Sequence, residues 1–265
     1  MLGLTFLKRV LIRDETSGLL EPSGLTLGHG GDGLWTVSDD TKRIFRLSLD
    51  GKADDDASFD VPFNGLEGIA IDPTGAYLFA VREETNKIIK LNIAERSVAG
   101  SRKLSKMAGY GRIKDLFEDD PDSNKGLEGI TWNSDSGSLF VLKEGHPGLL
   151  IEVAPDLASL RPHARLDETN GFVNLGSKKK HSDYSGLCYD PAHALFWIVS
   201  DVAQRVYLYD PKDNRVVDSA SLRYRKKDAY RTVKKAEGVA YDPDSGRLYV
   251  VSDEEARLYI FDTQL

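Results

Sequence analysis

One motif recurs five times in the chain and each time places an oxygen-bearing side chain directly before a glycine, at Ser23, Glu67, Glu128, Ser185 and Glu237. Three carboxylates held close together repel one another and lose hydration, so they take up protons or bind a cation. The set contains no His or Cys, which disfavours zinc. Calcium accepts roughly six to eight oxygen ligands in flexible geometry, whereas magnesium requires a strict octahedron. If the fold brings these positions together, they predict a calcium site. The alternative is that they are ordinary strand-start residues that hydrogen-bond neighbouring strands.

These five residues, called here the inner set, belong to a repeated segment. Each copy contains a short apolar run, a turn, a second run and a third run rich in Val, Ile, Leu, Tyr and Phe. Such runs are typical of β-strands. The glycines that follow the inner set, called the pattern glycines, are Gly24, Gly68, Gly129, Gly186 and Gly238. Successive spacings are 44, 61, 57 and 52 residues. Repeats of about 40 to 50 residues with short strands are typical of β-propellers.

The repeats therefore predict an all-β fold, a single five-bladed β-propeller over residues 1–265 as one domain. Weaker fourth strands are expected at residues 58–61, 98–104, 164–167 and 216–221. The fifth repeat has no such strand, and we expect residues 5–12 to supply it beside residues 257–261, which closes the ring and removes its open edge. A six-bladed propeller, suggested by the chain length, and a β-sandwich are the alternatives. Residues 28–33 match GxGxxG, but a strand follows them, so they indicate a hairpin turn.

The second strand of each repeat ends in a polar pair whose last member is acidic. These acidic residues, called the outer set, are Asp39, Glu83, Glu144, Asp201 and Asp253. Antiparallel pairing puts this end of the second strand beside the start of the first. We therefore expect both sets at one face, where the outer set contacts a ligand. Arg82 and Lys143 occur only in repeats whose inner-set residue is Glu, and they either neutralise Glu67 and Glu128, contact the ligand, or have a structural role.

The charge distribution bears on possible partners. The chain carries 35 basic and 42 acidic residues, a net charge of −7, which argues against nucleic-acid binding. Long insertions precede the first strands, including an acidic stretch at residues 118–120, Lys178–Lys179–Lys180 followed by His181, and residues 223–235 with seven basic residues and one acidic residue. Two basic loops on one face predict an anionic partner, such as a phosphorylated small molecule or an acidic polysaccharide. Solvated surface is the alternative.

Compartment and assembly are less constrained. No run approaches the ~18 apolar residues of a membrane span. The N-terminal apolar stretch precedes Lys8 and Arg9, the wrong order for a signal peptide. We therefore expect a cytoplasmic protein, or a periplasmic or secreted one if a leader was removed. Cys188 is the single cysteine, so no internal disulfide forms. A monomer is expected.

The repeated motifs resemble the SdiA-regulated family, a bacterial propeller group of largely unassigned function. The resemblance covers nearly the whole chain and rests on residues 21–25 (EPSGL), 65–69 (GLEGI), 126–130 (GLEGI), 184–187 (YSGL) and 237–239 (EGV). Members are often exported or membrane-anchored, which this N-terminus does not indicate. The inner set also resembles the calcium site of calcium-activated nucleotidases (apyrases), five-bladed propellers that hydrolyse nucleoside diphosphates. That likeness covers the inner set alone. It implies a bound calcium ion but does not imply the nucleotidase activity.

Three functions remain open at this level. The first is a calcium-bearing propeller that binds an anionic ligand on its top face without transforming it. The second is a calcium-dependent hydrolase of phosphate or ester bonds, in which Glu83, Glu144 or Asp201 positions water. The third is a scaffold that docks proteins on the same face. Propellers host all three, so the fold does not separate them.

Overall fold

The computed structural model describes residues 1–118, 126–174 and 182–265 of an all-β chain. Within these ranges, the strands form five four-stranded antiparallel sheets and one two-stranded hairpin. Strand β1 (Gly3–Leu11) comes first in the chain and belongs to the fifth sheet. In each of the first four sheets, all four strands follow one another along the chain. In the fifth sheet, the other three strands do so. Each sheet is one blade of a propeller.

The first blade contains β2 (Pro22–Leu27), β3 (Leu34–Ser38), β4 (Arg43–Leu47) and β5 (Ala53–Asp60), and the second contains β6 (Leu66–Ile71), β7 (Tyr77–Arg82), β8 (Lys87–Asn92) and β9 (Ser97–Lys103). The third blade contains β10 (Leu127–Asn133), β11 (Ser138–Lys143), β12 (Gly148–Val153) and β13 (Leu160–Leu166). The fourth contains β14 (Gly186–Asp190), β15 (Leu195–Ser200), β16 (Arg205–Asp210) and β17 (Arg215–Ser221). A separate hairpin of β18 (Arg223–Lys226) and β19 (Ala229–Thr232) follows. The fifth blade contains β20 (Ala236–Asp242), β21 (Arg247–Ser252), β22 (Arg257–Gln264) and β1.

The first strands of the five blades contact one another in a closed ring, in the order β2, β6, β10, β14, β20 and back to β2. The prediction of a five-bladed β-propeller is confirmed, and the six-bladed and β-sandwich alternatives are wrong. Buried apolar side chains fill the spaces between blades. Between the fifth and first blades, for example, Tyr249 and Leu258 share one buried cluster with Leu25 and Phe45. Each blade therefore needs both neighbours to bury its faces.

Short side-chain-capped turns join the first and second strands, as their Asp and Asn residues predict. In the second blade, Asp72 accepts a hydrogen bond from the Tyr77 amide at 2.8 Å, and Gly75 takes the left-handed conformation with φ of 73°. In the third blade, Asn133 accepts from the Asp135 amide at 2.9 Å. An Asx side chain that bonds the backbone two or more residues on replaces the hydrogen bonds that a turn leaves open. The register of each inner hairpin is thus determined locally.

Three predicted segments differ from the structure. Strand β13 starts at Leu160, four residues before the predicted start. Strand β5 starts at Ala53, five residues before the predicted start, and includes Asp54, Asp55 and Asp56. Asp is depleted in strands, so β-propensity does not predict that this part of the edge strand is extended. Residues 223–235 were expected as an insertion loop, but residues 223–232 form the β18–β19 hairpin. The predictions for Asp119, Asp120, Lys178–Lys180 and His181 fall outside the described residues.

Little of the described chain is helical. The α-helix α1 (Lys114–Glu118) spans five residues, and short 3-10 turns occur at His29–Gly31, Glu83–Thr85, Leu104–Lys106, Tyr110–Arg112 and Glu168–Asn170. The turn at His29–Gly31 joins β2 to β3, so the GxGxxG segment is a hairpin connection, as predicted. Among the residues that the structure describes, no helix has the length and apolarity needed to cross a membrane.

The N-terminal strand closes the ring. Strand β1 pairs antiparallel with β22, with Thr5 opposite Asp262 and Leu11 opposite Arg257, which confirms the predicted closure. A register shift between Phe6 and Lys8 marks a β-bulge at Leu7. Phe6 packs inward, with its ring centroid 5.4 Å from that of Tyr224 and 5.9 Å from that of Phe261. Leu7 is 42% exposed. The two adjacent residues thus differ sharply in what they contact.

This difference provides a test of closure. We expect Phe6→Ala to lower the free energy of unfolding by about 2 kcal/mol, since the ring is partly buried between Tyr224 of the β18–β19 hairpin and Phe261 of the fifth blade. The matched variant Leu7→Ala is expected to change it by less than about 0.5 kcal/mol, because its side chain is exposed. Urea denaturation followed by intrinsic fluorescence measures both. Equal effects of the two substitutions would contradict the described register.

Candidate metal centre

The inner set lies at irregularities in the first strands. The pairing between first and second strands shifts register across Ser23, Glu67, Glu128 and Glu237, so each of these four residues is the extra residue of a β-bulge. The fifth member, Ser185, immediately precedes β14, and its amide donates to the Val199 carbonyl at 3.0 Å. A bulge changes the direction of one side chain without ending the strand. The fold therefore gives the inner set a common position at the start of each inner strand.

The pattern glycines explain why the inner strands can lie so close together. A Cβ atom on Gly24 would lie 2.5 Å from the carbonyl oxygen of Glu67 in the next blade. The same substitution at Gly68 would meet the Glu128 carbonyl at 2.5 Å, and at Gly186 the Glu237 carbonyl at 2.3 Å. Real Cβ atoms do not approach backbone this closely, so only glycine fits. The close packing of inner strands brings the inner set around a narrow axis.

A small cavity lies on this axis. Its wall includes Glu128, Ser185 and Glu237, and its volume of about 10 Å³ admits a single water-sized sphere. The remaining wall comes from the pattern glycines and from the residue that follows each of them. Those following residues are apolar and at most 3% exposed: Leu25, Ile69, Ile130, Leu187 and Val239. The polar inner set is therefore backed by an apolar ring.

The outer set lies next to the inner set. Among neighbouring carboxylates, Asp39 and Glu83 raise the pKa of Glu67 most. Asp201 and Asp253 raise the pKa of Glu237 most. The closest grouping is Glu83, Glu128 and Glu144, which offer carboxylate oxygens all within 4.8 Å of one another. Glu83 also accepts a hydrogen bond from the Gly126 amide at 3.2 Å. The structure thus joins two outer-set residues to one inner-set residue, between the second and third blades.

Burial and mutual repulsion change the acidity of the three inner glutamates. Burial is the largest cause that raises the pKa of Glu67, to about 8, and the charges of Asp39 and Glu83 add to it. Burial, followed by repulsion from Glu67 and Glu83, raises the pKa of Glu128 well above its usual range. The pKa of Glu237 is raised likewise by burial and then by Asp201 and Asp253. Without a cation, Glu67 therefore holds a proton at neutral pH, and burial and repulsion disfavour the charged forms of Glu128 and Glu237.

The two inner serines hydrogen-bond backbone carbonyls. The Ser185 hydroxyl donates to the Ala236 carbonyl of the next blade at 2.6 Å, and the Ser23 hydroxyl donates to the Glu21 carbonyl at 3.2 Å. The contact of Ser185 with the next blade is the kind that the structural alternative expects. A hydroxyl that donates one hydrogen bond keeps its oxygen lone pairs, so it can still accept a hydrogen bond or bind a cation.

The two basic residues beside the outer set have other partners as well. Arg82 forms an ion pair with Glu84 at 3.0 Å. Lys143 is fully buried, donates to the Glu144 carbonyl at 2.9 Å and lies 5.5 Å from the centroid of the Phe117 ring. The expectation that Arg82 or Lys143 neutralises an inner glutamate, or contacts a ligand, stays a prediction.

One set of residues was missed by the sequence reasoning. It lies two positions before each inner residue and consists of Glu21, Gly65, Gly126, Asp183 and Lys235. Lys235 forms an ion pair with Asp253 at 2.6 Å, and its pKa is raised by that hydrogen bond and by the nearby Glu237. Glu21 groups with Asp39 and Asp40, and burial, followed by Asp253, raises its pKa. Extending the repeat alignment by two residues would have found this set.

These features define a five-bladed β-propeller whose inner and outer sets together form an acidic channel mouth, backed by apolar side chains. The chain belongs to the SdiA-regulated family, whose model matches residues 9–262.

Solved structures share the fold. The chain is similar to glutaminyl cyclase from Myxococcus xanthus, with a TM-score of 0.64 and 13% identity, over 98% of this chain and 96% of that one. It is also similar to a streptogramin B lyase, with a TM-score of 0.53 and 11% identity, over 100% and 98% of the two chains. The β-propeller domain of Cps50 (Swd1) from Myceliophteria thermophila gives a TM-score of 0.54 and 9% identity, over 99% and 100%. At these identities the likeness concerns the fold alone.

The raised pKa values predict a pH dependence of stability. The pKa of Glu67 is about 8 in the folded protein against 4.5 for a free glutamate, so the folded state binds more protons than the unfolded state between these values. Stability therefore falls as pH rises through this window. In the presence of a chelator, we expect the melting temperature to decrease between about pH 5 and pH 8.

The matched variants identify the groups responsible. Glu67→Gln is expected to reduce the slope of melting temperature against pH, since it removes one titrating group. Glu84→Gln changes an exposed carboxylate next to Arg82 and is expected to leave the slope as it is. Scanning fluorimetry across the pH window measures all three proteins. A melting temperature that rises with pH in the chelated wild type would overturn the account.

Proposed function

We propose that the channel mouth binds a calcium ion and that the bound ion holds an anionic ligand on the open face. The observation that carries this proposal is the grouping of Glu83, Glu128 and Glu144 carboxylate oxygens within 4.8 Å. Two oxygens on one calcium ion lie up to about 5 Å apart, because each Ca–O distance is 2.3–2.6 Å. Magnesium demands a near-ideal octahedron, which a ring of five inner residues fits poorly.

The other inner residues supply the further oxygen ligands that calcium requires. Glu67 and Glu237 lie close enough to influence the pKa of Glu128, and Ser23 and Ser185 contribute hydroxyl oxygens. Asp39 Oδ1 is buried and has no hydrogen-bond partner among the described residues, which fits a cation nearby. All these ligand atoms are oxygens, the ligand type that calcium prefers over zinc.

The surroundings of the site suggest how a ligand is selected. Leu25, Ile69, Ile130, Leu187 and Val239 back the cavity, so a ligand reaches the ion from the outer-set side. Asp39, Asp201 and Asp253 would repel an anion from this mouth in the absence of a cation. Anion binding is therefore expected to depend on calcium. Lys235 adds one positive charge at the fifth blade.

Calcium binding can be measured through stability. An ion that binds only the folded state stabilises it by roughly 2.7 kcal/mol at a hundred times its dissociation constant. We expect calcium to raise the melting temperature of chelator-treated protein by about 5 °C or more, and by more than magnesium does. Glu128→Gln is expected to remove most of this increase, whereas the control Glu84→Gln retains it.

Elemental analysis provides the independent readout. Protein equilibrated with calcium and then desalted is expected to hold about one ion per chain, and Glu128→Gln protein is expected to hold less. A wild-type protein that neither retains calcium nor gains stability from it would show that the inner set is structural, and the calcium proposal would be withdrawn.

A calcium-dependent hydrolase is the second candidate, in which Asp201, close enough to Glu237 to raise the pKa of that residue, positions water for attack. Calcium at the mouth would polarise a phosphoryl or carbonyl oxygen of the substrate. A panel of nucleotides, phosphoesters and lactones, assayed with calcium and with chelator, separates the candidates. Calcium-dependent turnover that Asp201→Asn abolishes while calcium binding is retained would favour the hydrolase, and binding without turnover would favour the first proposal.

A further inference from the structure

The β18–β19 hairpin is held firmly against the outer side of the fifth blade. Tyr224 on β18 is 5% exposed, and its ring centroid lies 5.4 Å from that of Phe6 and 5.2 Å from that of Tyr259. Its hydroxyl accepts a hydrogen bond from Arg9 at 3.0 Å, and the Arg9 guanidinium lies 5.0 Å from the Tyr224 ring centroid. Aromatic and cation–π contacts of this kind give the hairpin a defined position.

The hairpin concentrates positive charge on an acidic protein. Residues 223–235 include seven basic residues and one acidic residue, whereas the whole chain has a net charge of −7. Lys234 pairs with Glu254 at 2.5 Å, and Lys235 pairs with Asp253 at 2.6 Å. The other five basic residues form no ion pair with any acidic group in the part of the chain that the structure describes; they are Arg223, Arg225, Lys226, Lys227 and Arg231.

A groove of about 470 Å³ lies along this hairpin, and its volume is within the range of small-molecule sites. Its lining residues are Arg223, Tyr224, Tyr230, Arg231, Thr232, Lys234 and Glu255. The charge of Glu255 is already compensated, because its carboxylate accepts a hydrogen bond from the Tyr259 hydroxyl at 2.5 Å and lies 3.8 Å from the Arg9 guanidinium. Arg223 and Arg231 are therefore the groups of this groove whose charge is not offset. Tyr230, 73% exposed, adds an aromatic surface.

We propose that this groove binds a phosphate monoester. The hairpin register sets Arg223 opposite Thr232, so Arg223, Tyr230 and Thr232 share one face, whereas Arg231 is opposite Tyr224 on the other face. Arg223 binds the phosphate oxygens on the first face and Arg231 reaches them around the edge of β19, since a planar guanidinium donates paired hydrogen bonds to phosphate. The Thr232 hydroxyl is a further donor, and the Tyr230 ring contacts the organic part of the ligand. The lining residues include no member of the inner or outer set, so this site is separate from the channel mouth and independent of calcium.

Binding of phenyl phosphate, measured by isothermal titration calorimetry with a chelator present, tests the proposal. The wild-type protein is expected to bind one equivalent. Arg223→Gln with Arg231→Gln is expected to weaken binding by about tenfold or more, because it removes the two uncompensated cations of the groove. The matched double variant Arg225→Gln with Lys226→Gln removes the same charge from the same hairpin outside the groove lining, and we expect it to weaken binding by less than about threefold.

Two further arms define the ligand. Benzoate has a ring and a single carboxylate charge, and it is expected to bind at least about tenfold more weakly than phenyl phosphate. Co-sedimentation with vesicles containing phosphatidic acid tells whether the phosphate ester is also accepted as a lipid headgroup, and binding that depends on Arg223 and Arg231 in either arm supports the site.

Three results would overturn the proposal: no binding in either arm, equal weakening by the two double variants, or equal affinity for benzoate. Circular dichroism of all variants checks their folding, and the chelator keeps the outcome independent of the calcium proposal. Loss of calcium binding in Glu128→Gln with unchanged phenyl phosphate binding is expected, since the two sites share no residue.

Discussion

The close approach of the five inner strands is the constraint on which the rest of the structure depends. Neighbouring strands pack so tightly that Gly24 faces the backbone of Glu67 with no room for a methyl group. The same contact recurs at Gly68 and Gly186. A ring with five members and strands this close has almost no open channel, and the cavity on its axis holds only about one water-sized sphere. Any polar side chain that points to the axis must therefore share a very small space with the others.

The β-bulges turn this crowding into a chemical site. By inserting one residue, the bulges at Glu67, Glu128 and Glu237 bring carboxyl groups together, while the residue after each glycine supplies apolar surface. Burial and like charge then act in the same direction, and the pKa values rise. A protein selected for stability alone would have little reason to keep three such groups there, since an apolar substitute removes the repulsion. Their presence supports the proposed cation site, because a bound cation would offset this repulsion.

Much of this arrangement follows from the sequence, because it is repeated. Glycine spacing, strand runs and the unpaired last repeat together predict five blades and closure by the N-terminal strand. The inner set could be aligned because each member precedes a glycine that sterics require. The grouping of Glu83 and Glu144 around Glu128 was not predictable, since it depends on side-chain directions at two blades. The basic hairpin was hidden for another reason: Arg and Lys are weak strand formers, and its single buried anchor, Tyr224, leaves no alternating apolar pattern.

Closure of the ring by β1 also has a consequence for biosynthesis. Strand β1 is made before every other strand of the propeller, and its partner β22 is made after all of them. During translation, β1 therefore waits without its hydrogen-bonding edge satisfied, and Phe6 waits without Phe261. Domains that assemble early contacts during synthesis escape such a delay. Joining two ends separated by nearly the whole chain also carries a large loop-closure entropy, which the inter-blade packing must already offset. The ring thus closes only after all of β22 has been synthesised, and until then the hydrogen-bonding edge of β1 lacks its native partner.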